Sequence, residues 1–310
     1  MAHDPATQAA KAKESNPWTR RAILGLVQVS RLLPYRLRVP VIGWLMAYGF
    51  GPIAGYGKRV RDNLDFVLPD LPEPEKRALC RAVPANTGRM VAEISSGQHF
   101  IDQVATIPMQ GPGLAALDDA REAGRPIIVV SGHFGNFDAA RCALAQRGHQ
   151  IGALYRPVDD PTLDKLFHDV LTRIAAPVFP RGRKGLGNMV RFLRKGNAVA
   201  ILLDQYVHGG APLTFFGKTA PTSLSAAEMA LKYDALLVPV YGIRRGTSFD
   251  IVAEAPIPHS DAMTMTQAIN DSLEARVRAN MDQWLWIHRR WKPEIQSSLA
   301  ADNTSPNPAD

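Results

Sequence analysis

A chain of 310 residues with 46% hydrophobic and 21% charged residues has room for one large core or two modest ones and is too apolar to be wholly disordered or fibrous. Its net charge of +7 favours acidic partners, either an anionic membrane surface or an acidic carrier, and without a nucleic-acid-binding motif nucleic acid is not expected. The two cysteines, Cys80 and Cys142, lack the paired spacing of a zinc site or a disulfide framework and read as packing residues in a reducing compartment.

Residues 1–19 are polar, with no apolar core ahead of a small-residue cleavage site, so a secretory signal is not expected and the segment reads as disordered. Residues 20–110 read as an N-terminal helical, membrane-associating region. Between Lys11 and Arg61 the chain carries Lys13, Arg20, Arg21, Arg31, Arg36, Arg38, Lys58 and Arg59 against Glu14 alone, with apolar stretches interleaved. That pattern suits anionic lipid headgroups; a solvated face over core helices is the alternative. No charge falls between Arg38 and Lys58, a stretch long enough to be weighed as a membrane span. Pro40, Pro52 and the intervening glycines argue against a straight helix there. A segment lying in or dipping into one leaflet is expected, with Trp44, Tyr48 and Tyr56 at headgroup depth; the alternative is a pair of short buried helices.

LPDLPEPEKRALCRAV then gives a turn and a helix start, with Glu73 and Glu75 at the positive end of the dipole. The glycines at Gly111 and Gly113 mark a loop, and a catalytic domain is expected over 111–292. There helix and strand alternate: helical LAALDDAREAG, strand PIIVVS, helical NFDAARCALAQRG, strand QIGALYR, helical PTLDKLFHDVLTRIA, helical GLGNMVRFLRKG, strand AVAILLD, helical SLSAAEMALKY and strand ALLVPVYGIRR. IIVV and VAILL lack period-two alternation, so the fold class is α/β, a mixed, mostly parallel sheet flanked by helices. The active site should lie beyond the C-terminal strand ends. Residues 293–310 read as a disordered tail.

The first chemical constellation is SGHFGNFD, between a strand and a helix. On a continuous helix His133 and Asp138 would sit roughly 140° apart and could not meet. Gly132 and Gly135 permit a turn, and Asn136 is a good N-cap that puts Asp138 in the first helical turn. A carboxylate there can orient the imidazole and stabilise its protonated state, so that His133 removes a proton from an attacking hydroxyl.

A second, cationic group comprises Arg156, Arg173 and PRGRKG with Arg181, suited to phosphate, with exposed basic residues flanking a helix as the alternative. LLDQY, with Asp204 and Gln205, closes a strand. Phe215 and Phe216 line an acyl groove or pack in the core. QWLWIHRRWK either anchors a last helix at the membrane interface or packs its tryptophans inward beneath snorkelling cations.

GHFGNFD resembles the His-x4-Asp motif of the glycerolipid and lysophospholipid acyltransferase superfamily. Over roughly residues 20–292 the chain resembles that superfamily's lipid A biosynthesis lauroyl/myristoyl acyltransferase branch, through RVRDNLDFVLPDLPEPEKRAL, YRPVDDPTLD, PRGRKGLGNMVRFLRKG, LLDQY, TFFGKTAPTSLSAAEMALKYDALLVPV and QWLWIHRRWK. The resemblance implies a glycerolipid acyltransferase-like fold. It implies His133 as catalytic base with Asp138 as its partner, Arg181 as the aligned substrate-binding arginine, and Asp204 with Gln205 in the place of an acidic acceptor-binding motif. It further implies acyl carrier protein or acyl-CoA as co-substrate with no other cofactor and no metal. The acceptor would be a lipid A precursor, and the location the cytoplasmic face of the bacterial inner membrane, peripheral or monotopic. Many branch members carry glutamate where Asp138 stands, which leaves other acceptors open: a phosphatidylinositol mannoside, an ornithine lipid or a lysophosphatidate. From other classes, a serine esterase is suggested by HGG at His208–Gly210 but lacks a G-x-S-x-G elbow, and a non-catalytic lipid-binding protein would keep the fold.

Overall fold

The computed structural model describes residues 32–291, together with Gly25 and Gln28. The ends expected to be disordered, 1–19 and 293–310, lie outside the described residues, as do the basic residues Lys11, Lys13, Arg20, Arg21, Arg31 and Lys292.

Helix α1 (Tyr35–Leu45) runs through a π turn (Met46–Phe50) into the short α2 (Gly51–Ile53). A left-handed Gly55 then redirects the chain into α3 (Tyr56–Val67). The two arms meet at 84°, and among the described residues no single helix is long and apolar enough to cross a membrane. Helix α4 (Glu73–Ile94) packs on α1 at backbone distance. A Cβ on Gly88 would lie 2.7 Å from Met46 Cβ, and one on Gly43 2.8 Å from Arg89 Cγ, so this crossing needs both glycines. The outer side of the arm leaves Trp44, Tyr48, Phe50 and Ile53 exposed, with Ile53 at 87%; Tyr56 is half-buried, with its ring edge-on to Phe50. Arg38, expected on the basic face, is buried and donates to Ser96 Oγ and to the Leu33 carbonyl.

After α5 (Gln98–Ala105) the chain builds a seven-stranded sheet, in spatial order β1-β9-β8-β2-β5-β3-β4. The strands are β1 (Met109–Gln110), β2 (Ile127–Ser131), β3 (Ile151–Tyr155), β4 (Val178–Pro180), β5 (Ala198–Leu202), β8 (Leu236–Arg245) and β9 (Ser248–Ala253). From β8 to β4 neighbouring strands are parallel, while β9 runs antiparallel to β8 and carries β1 alongside it. This is the mixed, mostly parallel sheet that the apolar runs predict. All of IIVVS in β2 is buried, as a strand covered on both faces requires. One face packs on α6 (Leu114–Glu122), α7 (Phe137–Gln146) and α8 (Pro161–Ile174), through Ile127, Val129 and Leu144. The other packs on α9 (Arg183–Leu193), α10 (Ser225–Tyr233) and α11 (Ala262–Ala279), through Ile128, Val130 and Leu237.

A separate hairpin, β6 (Ala211–Phe215) and β7 (Lys218–Thr222), turns through Phe216 and Gly217, both with positive φ, 53° and 68°. Phenylalanine rarely takes that backbone conformation. Here its amide donates to the Glu274 carboxylate, and its ring lies under the Arg278 guanidinium at 4.5 Å. Phe215 and Phe216 pack in a buried cluster with Trp284, Trp286 and Trp291. Of the two readings open for each segment the structure takes core packing: the phenylalanine pair packs inward rather than lining an acyl groove, and over residues 283–291 the tryptophans fill this cluster instead of anchoring a helix at a membrane surface.

Candidate active site

Strand β2 ends at Ser131, and the chain turns through Gly132–Asn136 before α7 begins. The turn is pinned from two sides. Asn136 donates its amide to the Gly242 carbonyl of β8 at 2.8 Å, and Gly135 donates to the Gln283 carbonyl at 2.9 Å. Gly135 has φ 57°, and a Cβ there would stand 2.0 Å from the Gly242 oxygen, so only glycine fits. Asn136 caps α7 by accepting from Ala139 N, as its position in the sequence predicts.

This turn presents His133 to the carboxylate of Asp204, which follows the adjacent parallel strand β5. Asp204 Oδ1 lies 2.8 Å from His133 Nδ1. Asp204 Oδ2 accepts from the His133 backbone N–H at 2.7 Å and from the Trp284 indole N–H at 2.8 Å. Trp284 reaches this point because Leu285 donates to the His133 carbonyl at 3.0 Å, which lays the segment against the histidine turn. Burial raises the Asp204 pKa, but the imidazole charge and these three hydrogen bonds outweigh it and bring the carboxyl down to about 2. For His133, burial opposes the charged ring, but Asp204, by charge and hydrogen bond and with a smaller pull from Asp138, raises the imidazole above its ordinary value. A carboxylate on Nδ1 fixes the tautomer with the proton there. Nε2 is then the basic nitrogen, with the Gln205 amide nitrogen 3.4 Å away.

His133 separates two cavities. The larger, about 270 Å³, runs between the sheet and helices α4, α7 and α8 and is walled by Met90, Phe137, Ala153, Phe167, Ala200 and Val240. The smaller, about 100 Å³, lies between α4 and the Trp284 segment and includes Asn86, Gln283 and Leu285. A mainly apolar cavity with an imidazole polarised by a carboxylate at one end has the room and the chemistry to hold a hydrocarbon chain with its head beside a base.

Of the residues singled out in the sequence, His133, Asp204 and Gln205 come together. Asp138 lines the same large cavity, but its Oδ1 accepts from Arg141 Nε at 2.9 Å; the imidazole hydrogen bond expected of Asp138 is made by Asp204. Arg141 also donates to the Ala175 and Leu171 carbonyls at 2.8 and 3.0 Å, closing the C-terminal end of α8. Arg156 is exposed at the cavity wall. Arg181 is exposed beyond β4 with its backbone N–H on the Tyr155 carbonyl, and Arg173 lies over Gly97; neither lines the cavities beside His133.

Sequence reading passed over the supports. Glu93, fully buried on α4, takes both terminal nitrogens of Arg244 and accepts from Asn136 Nδ2 at 2.8 Å. Gln283 bonds the Arg244 backbone in both directions. Arg290, also fully buried, donates to the Gln205 and Pro221 carbonyls at 3.0 and 2.7 Å, holding the loop that carries Asp204. The available signal was β5 itself. An aspartate closing a parallel strand next to β2 lies level with a histidine that closes β2.

Comparison with known proteins identifies the family. Residues 8–293 match the family model described as bacterial lipid A biosynthesis acyltransferase. The chain is 25% identical to the lipid A biosynthesis lauroyltransferase of Escherichia coli (strain K12), over 89% of this chain and 92% of that protein. It is 24% identical to a lipid A biosynthesis acyltransferase of Haemophilus influenzae, over 84% and 86% of the two chains, and 19% identical to lipid A biosynthesis acyltransferase 2 of Shigella flexneri, over 87% and 88%.

Proposed function

Because the chain belongs to the bacterial lipid A biosynthesis acyltransferase family, and is thus an acyltransferase, we propose that it moves a fatty acyl group from an acyl carrier protein or acyl-CoA thioester to a hydroxyl of a lipid A precursor, with His133 as general base and Asp204 as the carboxylate that orients it. The observation that carries this reading is the 2.8 Å contact between Asp204 Oδ1 and His133 Nδ1, with the imidazole at the head of an apolar cavity.

In the reaction the acceptor O–H gives its proton to His133 Nε2 while its oxygen bonds to the thioester carbonyl carbon. The tetrahedral intermediate collapses with cleavage of the C–S bond, and the departing thiolate takes the proton back from the imidazolium. Asp204, held ionised, stabilises the ring while it is charged. The acyl chain lies in the large cavity, and the acceptor approaches from the side of Asn86 and Leu285. The exposed Trp44, Tyr48, Phe50 and Ile53 and the basic Arg36 of the first arm, with Lys58 and Arg59 at the start of the second, rest on the cytoplasmic face of the inner membrane, with aromatics at the interface and cations on anionic headgroups.

The test is to incubate the purified chain and vesicles holding a lipid A precursor with acyl carrier protein and CoA thioesters, and to follow lipid mass. One added acyl chain with the wild type and none with His133→Ala is the expected outcome. Absence of acyl gain on the precursor, with gain on a lysophosphatidate or ornithine lipid instead, would move the acceptor assignment; no gain on any lipid removes the reaction.

A further inference from the structure

Besides His133 at its head and Arg141, Tyr155 and Arg156 in its wall, the large cavity is lined by two further polar side chains, Ser131 and Asp138. Val129 and Ser131 alternate on β2 onto the same face of the sheet, so the Ser131 side chain projects into the layer that holds the cavity it lines. Asp138, on α7, lines the same cavity. Both residues are more than nine-tenths buried, at 7% and 3% exposure. Ser131 Oγ and Asp138 Oδ2 each have no hydrogen-bond partner among the described residues, although Asp138 Oδ1 is fully engaged by Arg141. Leaving a buried carboxylate oxygen without a donor is costly, and two unpartnered oxygens on the lining of one cavity point to a ligand group that serves both.

The chemistry of the pair narrows that group. A second anion would be repelled by Asp138, and a carbonyl would satisfy Ser131 alone. An ammonium could donate to both oxygens, but it would leave the Ser131 hydroxyl proton unused and face the Arg141 guanidinium that already neutralises Asp138. A hydroxyl donates its proton to Asp138 Oδ2 and accepts from Ser131 Oγ–H, which uses both. Ser131 is two residues from His133, so the pair sits near the reacting end of the cavity.

We propose that this site takes an acyl thioester bearing a hydroxyl near its carbonyl, held between Ser131 and Asp138. The inference rests on the reading that the cavity holds the acyl chain of the donor, and it names the class of donor. A site built for a hydroxyl discriminates against the analogue that lacks it, because the polar pair is then left without its partner.

The experiment uses the full-length chain and calorimetric titration with two probes, decanoyl-pantetheine and 3-hydroxydecanoyl-pantetheine, a fragment shared by both donors. The hydroxylated thioester is expected to bind at least about tenfold more tightly, and in Ser131→Ala the ratio of the two affinities is expected to fall to within about threefold. Ser131→Cys, of nearly the same shape and a weaker hydrogen-bond donor, gives an intermediate ratio. Equal affinities in the wild type, as when a water rather than the ligand bridges the two oxygens, overturn the proposal, as does a preference that survives Ser131→Ala. Binding of neither thioester overturns it together with the placement of the chain, whereas equal binding of both leaves that placement standing and removes only the hydroxyl.

Discussion

Asp204 Oδ1 stands 2.8 Å from His133 Nδ1, while Asp138, five residues along from the same histidine, gives its Oδ1 to Arg141. The two acids beside the imidazole thus do different physical work, and substitution separates them.

Asp204→Asn keeps the shape of the side chain but removes the charge that fixes the tautomer and balances the imidazolium. Acyl transfer should fall roughly ten-thousandfold in kcat, as when the orienting acid of a histidine base is neutralised. Lipid mass gain measured over time gives the rate. A variant retaining more than a tenth of wild-type kcat would show that the contact is incidental to the reaction.

Asp138→Ala leaves the Arg141 guanidinium buried without its carboxylate, which typically costs about 3–5 kcal/mol. Denaturant unfolding should show that loss, and Arg141→Ala a similar one. In the double variant the two losses should not add, because each single change already breaks the pair. Additive losses would separate Asp138 from Arg141 energetically.

The imidazole must be neutral to act as a base, so kcat/KM should fall as pH drops through the His133 pKa, which lies above the ordinary 6.5. In Asp204→Asn burial is left to dominate, and the limb should move to lower pH. Stability runs the other way. The His133 contribution is complete below about 6.5 and is lost as pH rises through the raised value. That of Asp204 is present above its ordinary 3.8 and is lost as pH falls toward about 2. Unfolding curves from pH 3 to 9 should therefore place the dyad's greatest contribution on the acid side of the activity optimum, and Asp204→Asn should flatten that dependence.

The sheet was legible because β2, β5 and β8 are apolar runs that only a doubly covered strand accommodates, and His133 because a glycine turn and an N-cap surround it. The partner of His133 was not. Five residues of local sequence separate it from Asp138, seventy-one separate it from Asp204, and only the pairing of Ser131 with Leu202 in adjacent strands brings the latter alongside. The β6–β7 hairpin was hidden for a local reason, since its turn places a phenylalanine at positive φ and depends on Glu274 and Arg278 from a distant helix. The buried Glu93–Arg244 pair gives no sequence signal at all, because either residue alone reads as surface.

The exposed apolar residues of the N-terminal arm should govern attachment to lipid. With Trp44, Phe50 and Ile53 replaced together by serine, the fraction sedimenting with vesicles containing anionic lipid should drop at least tenfold, while the sheet melts unchanged because none of the three is buried. Raising salt should weaken wild-type attachment through the cations Arg36, Lys58 and Arg59. Sedimentation unaffected by the triple substitution would place the lipid contact elsewhere.

Trp284→Phe tests the far side of the dyad. The ring is fully enclosed by Phe215, Trp286 and Trp291, and phenylalanine keeps much of that contact, but the indole N–H that donates to Asp204 Oδ2 is lost. A hydrogen bond to a charged group contributes about 1.5–3 kcal/mol, so stability should fall by about that much. The catalytic signature is more specific. With one donor fewer, the carboxylate concentrates its charge on the imidazole, the His133 pKa rises further, and the acid limb of kcat/KM should shift to higher pH, opposite to the shift expected for Asp204→Asn. A purely structural tryptophan would lower stability and leave that limb where it is, so a stationary limb in a destabilised Trp284→Phe would remove Trp284 from the positioning of Asp204.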